Sequence, residues 1–335
     1  MVKKPDKGVQ RNNQGVILFA KTLFTRSPEL NTFTAILVLS AIIGFINPRF
    51  WSIPNLLTIF RWLTGLGLLA LGQSMVLIMG GIDLSVGSMA SLSSMVFAYM
   101  ITIMKQDTLI AVLTVIAVAL LVGFYHGIFV TRFSPPLPTT VPSFIVTLGS
   151  LILLRGTAIV MTYGYPIKIY DYEKIAFTAS TQGLALILII AVAITYYLQR
   201  YTVIGRYIYA IGGNMEAARV AGIPIHKSRM FSYIYSSLMA GLAGIVYASL
   251  VSSGYAEIAT GQELFSIASC ALAGVSLAGG EGTAIGALIG ALLITVVRNG
   301  IVLMGVSPYW QDAVTALILV IAVTTDLVRR TWRRT

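Results

Sequence analysis

"TLIAVLTVIAVALLVGFYHGIFVT" (Thr108–Thr131) contains no Asp, Glu, Lys or Arg over a stretch long enough to decide the architecture. Coiled at 1.5 Å per residue it covers about 36 Å, more than the roughly 30 Å of hydrocarbon in a bilayer. Apolar and polar residues do not alternate as they would in a half-wet strand, so the run predicts a membrane-crossing helix. Read outward from it, the chain yields nine more candidate spans, at about 32–47, 55–79, 85–104, 142–163, 182–199, 230–252, 262–278, 283–304 and 309–328. In lipid every backbone amide must find its partner within the protein. The fold class expected is therefore all-α, a polytopic membrane bundle of about ten helices.

Composition agrees. Of the 335 residues 57% are hydrophobic and only 10% charged, where soluble domains carry about a quarter charged residues. The net charge of +11 raises the question of nucleic acid, and its distribution answers it. Basic residues gather before the first span (Lys3, Lys4, Lys7, Arg11, Lys21, Arg26), in 200–229 (Arg200, Arg206, Arg219, Lys227, Arg229) and after the last span (Arg329, Arg330, Arg333, Arg334). Cytoplasmic flanks of membrane spans collect Lys and Arg in this way. An even number of spans then puts residues 1–30 and 329–335 inside as tails, with 31–328 as one membrane domain. Segment 164–181 balances Lys168 and Lys174 with Asp171 and Glu173, and 253–263 has Glu257 and Glu263 without a cation, so both are expected outside. The first apolar run lacks a small-residue cleavage site behind it and reads as a retained span. Cys270, the single cysteine, has no intrachain partner.

Two stretches interrupt the oil. "MGGIDLSVGSM" (Met79–Met89) and "AGGEGTAIGA" (Ala278–Ala287) each present a glycine pair, a carboxylate and a further glycine. Paired breaks in two halves of a membrane chain point to a transport pathway, because non-helical backbone survives at membrane depth only where protein or a wet cavity surrounds it. The broken segments lie near 80–85 and 279–283, and Gly81, Asp83, Ser85, Ser88, Gly280 and Glu281 are the pathway candidates. Asp83 has an ordinary alternative role, capping the helix that follows, and Ser85, Ser88 and Ser91 can return hydrogen bonds to their own helix. Arg155 and Arg298 fit snorkelling cations, while Tyr309 and Trp310 fit an interfacial aromatic belt. His126 and His226 are too few to build a metal site, and neither metal nor cofactor is expected. With no catalytic constellation and no phosphate loop, the chain is not expected to be an enzyme or to hydrolyse ATP.

Between the spans at 182–199 and 230–252 lies "YAIGGNMEAARVAGIPIHKSR" (Tyr209–Arg229). Helical spacing puts Ala217, Val220 and Ala221 on a small apolar face, with Glu216 and Arg219 elsewhere, and Gly222 and Pro224 end the helix. Such a helix suits either a groove on a partner protein or the membrane surface.

Four ordered motifs then carry a resemblance: "GGIDLSVGS" (Gly80–Ser88), "RYIYAIGGNMEAARVAGI" (Arg206–Ile223), "ELFSIASCALAGVSLAGGEGT" (Glu263–Thr283) and "GVSPYWQDAVTALILVIAV" (Gly305–Val323). Together they resemble the ribose, xylose and galactose type of monosaccharide permease in bacterial ABC importers. The likeness implies that Glu216, Ala217, Ala218, Ala221 and Gly222 belong to the loop that couples a permease to its ATPase. It further implies an ATP-driven importer of a monosaccharide in a prokaryotic inner membrane. Its partners would be an ATPase with tandem nucleotide-binding domains, a second permease copy or a paralogue, and a periplasmic or lipid-anchored sugar-binding protein. The alternative is a gradient-driven carrier of a small polar solute, for which Asp83 and Glu281 would be the supporting feature. "RFSPPLPTTVPSF" (Arg132–Phe144) is richer in proline than the family pattern.

Overall fold

The computed structural model describes residues 28–132, 140–307, 309–317 and 320; the basic tails and most of the proline-rich segment lie outside the described residues. The chain is almost wholly helical. In order come α1 (Pro28–Ile46), α2 (Ile53–Ile78), α3 (Val86–Thr102), α4 (Thr108–Arg132), α5 (Thr140–Val160), α6 (Tyr172–Ala179), α7 (Thr181–Tyr201), α8 (Val203–Gly213), α9 (Met215–Val220), α10 (Ile225–Val251), α11 (Gln262–Leu272) and α12 (Ala284–Leu303). Residues 309–317 are helical too. Among the described residues seven helices are long and apolar enough to cross a membrane, namely α1, α2, α4, α5, α7, α10 and α12.

Two expected spans are shorter than read. The run at 85–104 folds as α3, a 17-residue helix, and the run at 262–278 forms the 11-residue α11. At 1.5 Å per residue α11 is only about 17 Å long, half a bilayer. The cause lies in the glycines that follow. Gly274, Gly279, Gly280 and Gly282 all hold positive φ, a region that L side chains avoid, so the backbone turns where the apolar composition alone suggested more helix. The last expected span, 309–328, is described only through 317 and at 320.

The layout is a central helix with a sheath. α10 packs against α2, α3 and α4, and 72% of its most apolar stretch is buried, against 22% for α4. Small side chains permit this centrality. At Gly72 of α2 a Cβ would come within 3.1 Å of the Ser236 backbone, so the two helices touch main chain to main chain. The sheath helices turn their large apolar side chains outward, as with Leu113 and Leu121 of α4, where lipid rather than water is the neighbour.

At one end of the bundle, segments 164–181 and 253–263 meet. Strand β1 (Ile167–Lys168) pairs antiparallel with β2 (Ser253–Gly254), Ile167 opposite Gly254, and Arg155 bridges to Glu257. The two loops expected to share a side of the membrane do share an end of the molecule. Segment 200–229 occupies the other end, where α2 finishes and α3 and α12 begin.

Candidate functional site

The site is built where three interruptions converge. α2 stops at Ile78 because Gly80 takes φ +84°; Gly80 N–H then donates to the Leu77 carbonyl and Gly81 N–H to the Val76 carbonyl. This is the glycine-closed helix end, which satisfies the last carbonyls. On the far side of the chain α12 starts at Thr283, whose hydroxyl accepts from Gly286 N–H at 2.9 Å. The glycine loop ahead of it folds back so that Gly280 N–H donates to the Ile78 carbonyl at 2.8 Å. The two breaks therefore touch.

α8 seals the contact from below. A Cβ on Gly212 would run into the Ile78 carbonyl and the Gly280 nitrogen, and a Cβ on Gly279 would stand 3.0 Å from both Gly80 Cα and Gly212 Cα. Only bare backbone fits at this three-way junction of α2, α8 and the loop before α12. Next to it, the Tyr209 hydroxyl donates to the Gly282 carbonyl at 2.7 Å. Burial raises the Tyr209 phenol above its ordinary pKa, with Arg200 pulling the other way, so the group remains a hydrogen donor at physiological pH. Gln199, at the end of α7, accepts from Ala284 N–H at 2.7 Å and donates to Ser74 Oγ at 3.1 Å. One amide thus joins α7, α2 and α12.

From this junction the chain passes directly into α9. Asn214 caps it, its side chain accepting from Ala217 N–H at 2.9 Å. Gly222, at φ +75°, closes it, with Gly222 N–H on the Arg219 carbonyl and Ile223 N–H on the Ala218 carbonyl. Glu216 and Arg219 pair at 2.7 Å on the surface. Ala217, Val220, Ala221 and Gly222 are exposed, while Ala218 is buried against the bundle. Of the five residues assigned to coupling, Ala218 holds the helix in place and the other four are presented outward.

The pathway candidates divide. Gly81, Asp83, Ser85 and Ser88 are all buried. One Asp83 carboxylate oxygen accepts from Ser85 N–H at 3.0 Å and Ser85 Oγ at 2.6 Å, and the other accepts from Ser236 Oγ of α10 at 2.8 Å. With its amide nitrogen facing the Asp83 carbonyl, Gln73 also donates there at 3.0 Å and accepts from Asp83 N–H at 3.2 Å. The carboxylate is saturated by structure, as a buried charge must be. Glu281, the matching acid of the second break, is exposed. The two breaks resemble each other in sequence but place their acids in opposite environments, one sealed and one wet. Gly280 meets the first break through Ile78, some distance along the chain from Asp83.

Gly212, Gln199, Tyr209 and Asn214 were not singled out from the sequence. The signals were present in outline: a third glycine pair, Gly212–Gly213, ahead of the amphipathic helix, and a lone glutamine at the foot of an apolar run.

Comparison with known proteins shows the family. A family profile described as branched-chain amino acid transport system / permease component matches residues 55–323. The ribose import permease protein RbsC of Escherichia coli is 36% identical over 306 residues, covering 89% of this chain and 93% of that one. RbsC of Bacillus subtilis is 33% identical over 304 residues, covering 89% and 92%. The autoinducer 2 import system permease protein LsrC of Yersinia pseudotuberculosis is 33% identical over 323 residues, covering 93% and 84%. No solved structure matches.

Proposed function

The chain belongs to the family of transport-system permease components described for branched-chain amino acid transport, and on that premise we propose that it is the membrane permease of an ATP-driven importer that carries a monosaccharide. The observation that carries this reading is the outward-facing helix α9, which follows directly on α8, whose Gly212 lies against both membrane breaks. A carrier driven by an ion gradient has no use for a helix presented to a partner at that position. The sugar class follows from relatives named for ribose and autoinducer 2 import.

In this reading residues 31–328 form one permease domain between the tails 1–30 and 329–335. The excess of Lys and Arg in 200–229 orients that end and both termini to the cytoplasm of a bacterial inner membrane. Glu216, Ala217, Ala221 and Gly222 dock on an ATPase with tandem nucleotide-binding domains, and Ala218 fixes their orientation. A second permease copy or a paralogue completes the passage, and an extracytoplasmic binding protein delivers the solute. The mechanism needs no titrating group. ATP-driven movement of the partner displaces α9, the all-backbone contact at Gly212 passes the displacement to Ile78 and Gly280, and the breaks at 80–85 and 279–283 rearrange together. Backbone junctions transmit strain well because they hold no flexible side chain to absorb it.

The test is reconstitution with the ATPase and binding protein, ATP enclosed on the ATPase side, and labelled ribose, xylose and galactose outside. ATP-dependent uptake that survives collapse of proton and sodium gradients is expected. Uptake without ATP under an imposed ion gradient would overturn the reading.

A further inference from the structure

A cavity of about 340 Å³ opens at the end of the bundle opposite α9. It is bounded by the first turns of α2, the last turns of α10, the start of α11, the second half of α12 and Gln311. None of the pathway candidates read from the sequence borders it. We propose that this cavity is the site where a neutral one-ring sugar is held as it enters the permease, an inference that rests on the transport reading above and gives it a location.

Chemistry supports a polyhydroxylated, uncharged occupant. Thr58 and Thr295 offer hydroxyl oxygens as acceptors, their protons bonding back to Pro54 and Ala291, and the amides of Gln262, Asn299 and Gln311 can both donate and accept. Among the described residues no carboxylate lines the cavity. Arg298, the one ion among its described lining residues, is paired with Asp312 at 3.1 Å and lies over the Phe265 ring at 4.8 Å, so among these residues no unpaired charge awaits a charged ligand. Trp62 and Tyr247 form an aromatic wall, with ring centroids 6.0 Å apart and planes at 37°. Such a wall gives the C–H face of a sugar ring an apolar partner while the amides take its hydroxyls. A mostly apolar cleft with a few placed polar groups is how proteins hold small ligands, and 340 Å³ is at the small end of that range. It admits one ring rather than a chain.

Three further observations set the cavity apart from an accidental dent. Tyr247 is buried, and its ring occupies the space that a side chain at Gly65 would need, so the wall is fixed rather than folded in from outside. Thr58 and Trp62 are exposed within a turn of Arg61, also exposed. A charged group on a helix surface is costly against hydrocarbon, so α2 at Arg61 borders water, headgroups or protein. Asn55 and Asn299 exchange hydrogen bonds at 3.1 and 2.8 Å, which holds the rim of α2 against α12.

The test uses the assembled transporter with Cys270→Ala as background. In Thr58→Cys, an impermeant bulky methanethiosulfonate should modify the new thiol, and a saturating concentration of the panel sugar taken up by wild type should slow that modification at least threefold. Uptake by the modified protein should fall at least tenfold below that of the same variant unmodified. Thr58→Trp, which fills the mouth, should lose uptake by a similar factor while still co-purifying with the ATPase; Leu121→Trp on the outer face of α4 should not. A thiol that does not react, reacts equally fast with sugar present, or reacts without affecting uptake would overturn the cavity assignment. Wild type that shows no ATP-dependent uptake of any panel sugar would instead overturn the transport reading beneath it.

Discussion

Gly280 N–H donates to the Ile78 carbonyl across 2.8 Å, so two interruptions some 200 residues apart in sequence share one main-chain hydrogen bond. Gly212 stands against both partners of that bond, and the helix it belongs to leads straight into α9. The permease's response to its ATPase is therefore expected to depend on a glycine that touches neither ATP nor sugar.

Gly212→Ala and Gly213→Ala make a discriminating pair. A Cβ at Gly212 meets the Ile78 carbonyl and the Gly280 nitrogen, whereas nothing lies within 4 Å of one at Gly213. Overpacking at such a site costs about 1–3 kcal/mol. Gly212→Ala should lower the thermal midpoint in detergent and cut uptake severalfold; Gly213→Ala should resemble wild type in both. Equal behaviour of the two variants would show that the junction does not transmit.

On α9 the exposed and buried alanines should separate coupling from folding. Ala217→Arg places a long cation on an exposed position and should abolish co-purification with the ATPase and uptake, with the thermal midpoint unchanged. Ala218→Leu forces extra volume into a buried position and should destabilise by about 1–3 kcal/mol. Gly222→Trp adds strain to any docking defect, because its φ of +75° costs an L residue about 1–2 kcal/mol.

Asp83 is expected to be a structural acid. Asp83→Asn keeps one oxygen for Ser85 or Ser236 and should cost about 1–2 kcal/mol, leaving ATP-driven uptake largely intact with ion gradients collapsed. Asp83→Leu strands the Ser85 and Ser236 donors and should cost more, about 2–3 kcal/mol. Selective loss of uptake in a stably folded Asp83→Asn would assign the carboxylate a role in transport itself.

Orientation can be read by thiol labelling in the Cys270→Ala background. Tyr170 is 71% exposed at the β1–β2 end, and Lys227 is exposed at the α9 end. Tyr170→Cys should react with an impermeant reagent added to the outside of intact cells, and Lys227→Cys only after permeabilisation. The reverse pattern would invert the topology.

Most of the helices were legible because their cause is local. A run such as 108–131 has nowhere to go but lipid, and the structure gives α4 from Thr108 to Arg132. The 262–278 run was over-read because mean apolarity does not register backbone turns, and four glycines at positive φ decided its end. Asp83 was conspicuous as an acid in oil, yet Ser236, its α10 partner, sits 153 residues away, and no spacing rule reaches that far. Helical spacing grouped Ala217 and Ala221 and left Ala218 unplaced; which alanine turns inward depends on how α9 packs on the bundle. Gly212 was invisible for the same reason, since a missing side chain acquires meaning only from what would otherwise collide with it.

The Gln199 amide has a consequence for biosynthesis. Its carbonyl partner, Ala284 N–H, is 85 residues downstream, and by then α10 and α11 have left the ribosome. Until α12 arrives, the foot of α7 carries a buried carbonyl with its hydrogen-bond partner still unmade. The nascent chain therefore keeps one end of its core open until residue 284 of 335 has been made, and closes it late. A chain truncated before residue 284 should be recognisable to membrane quality control by that open end alone.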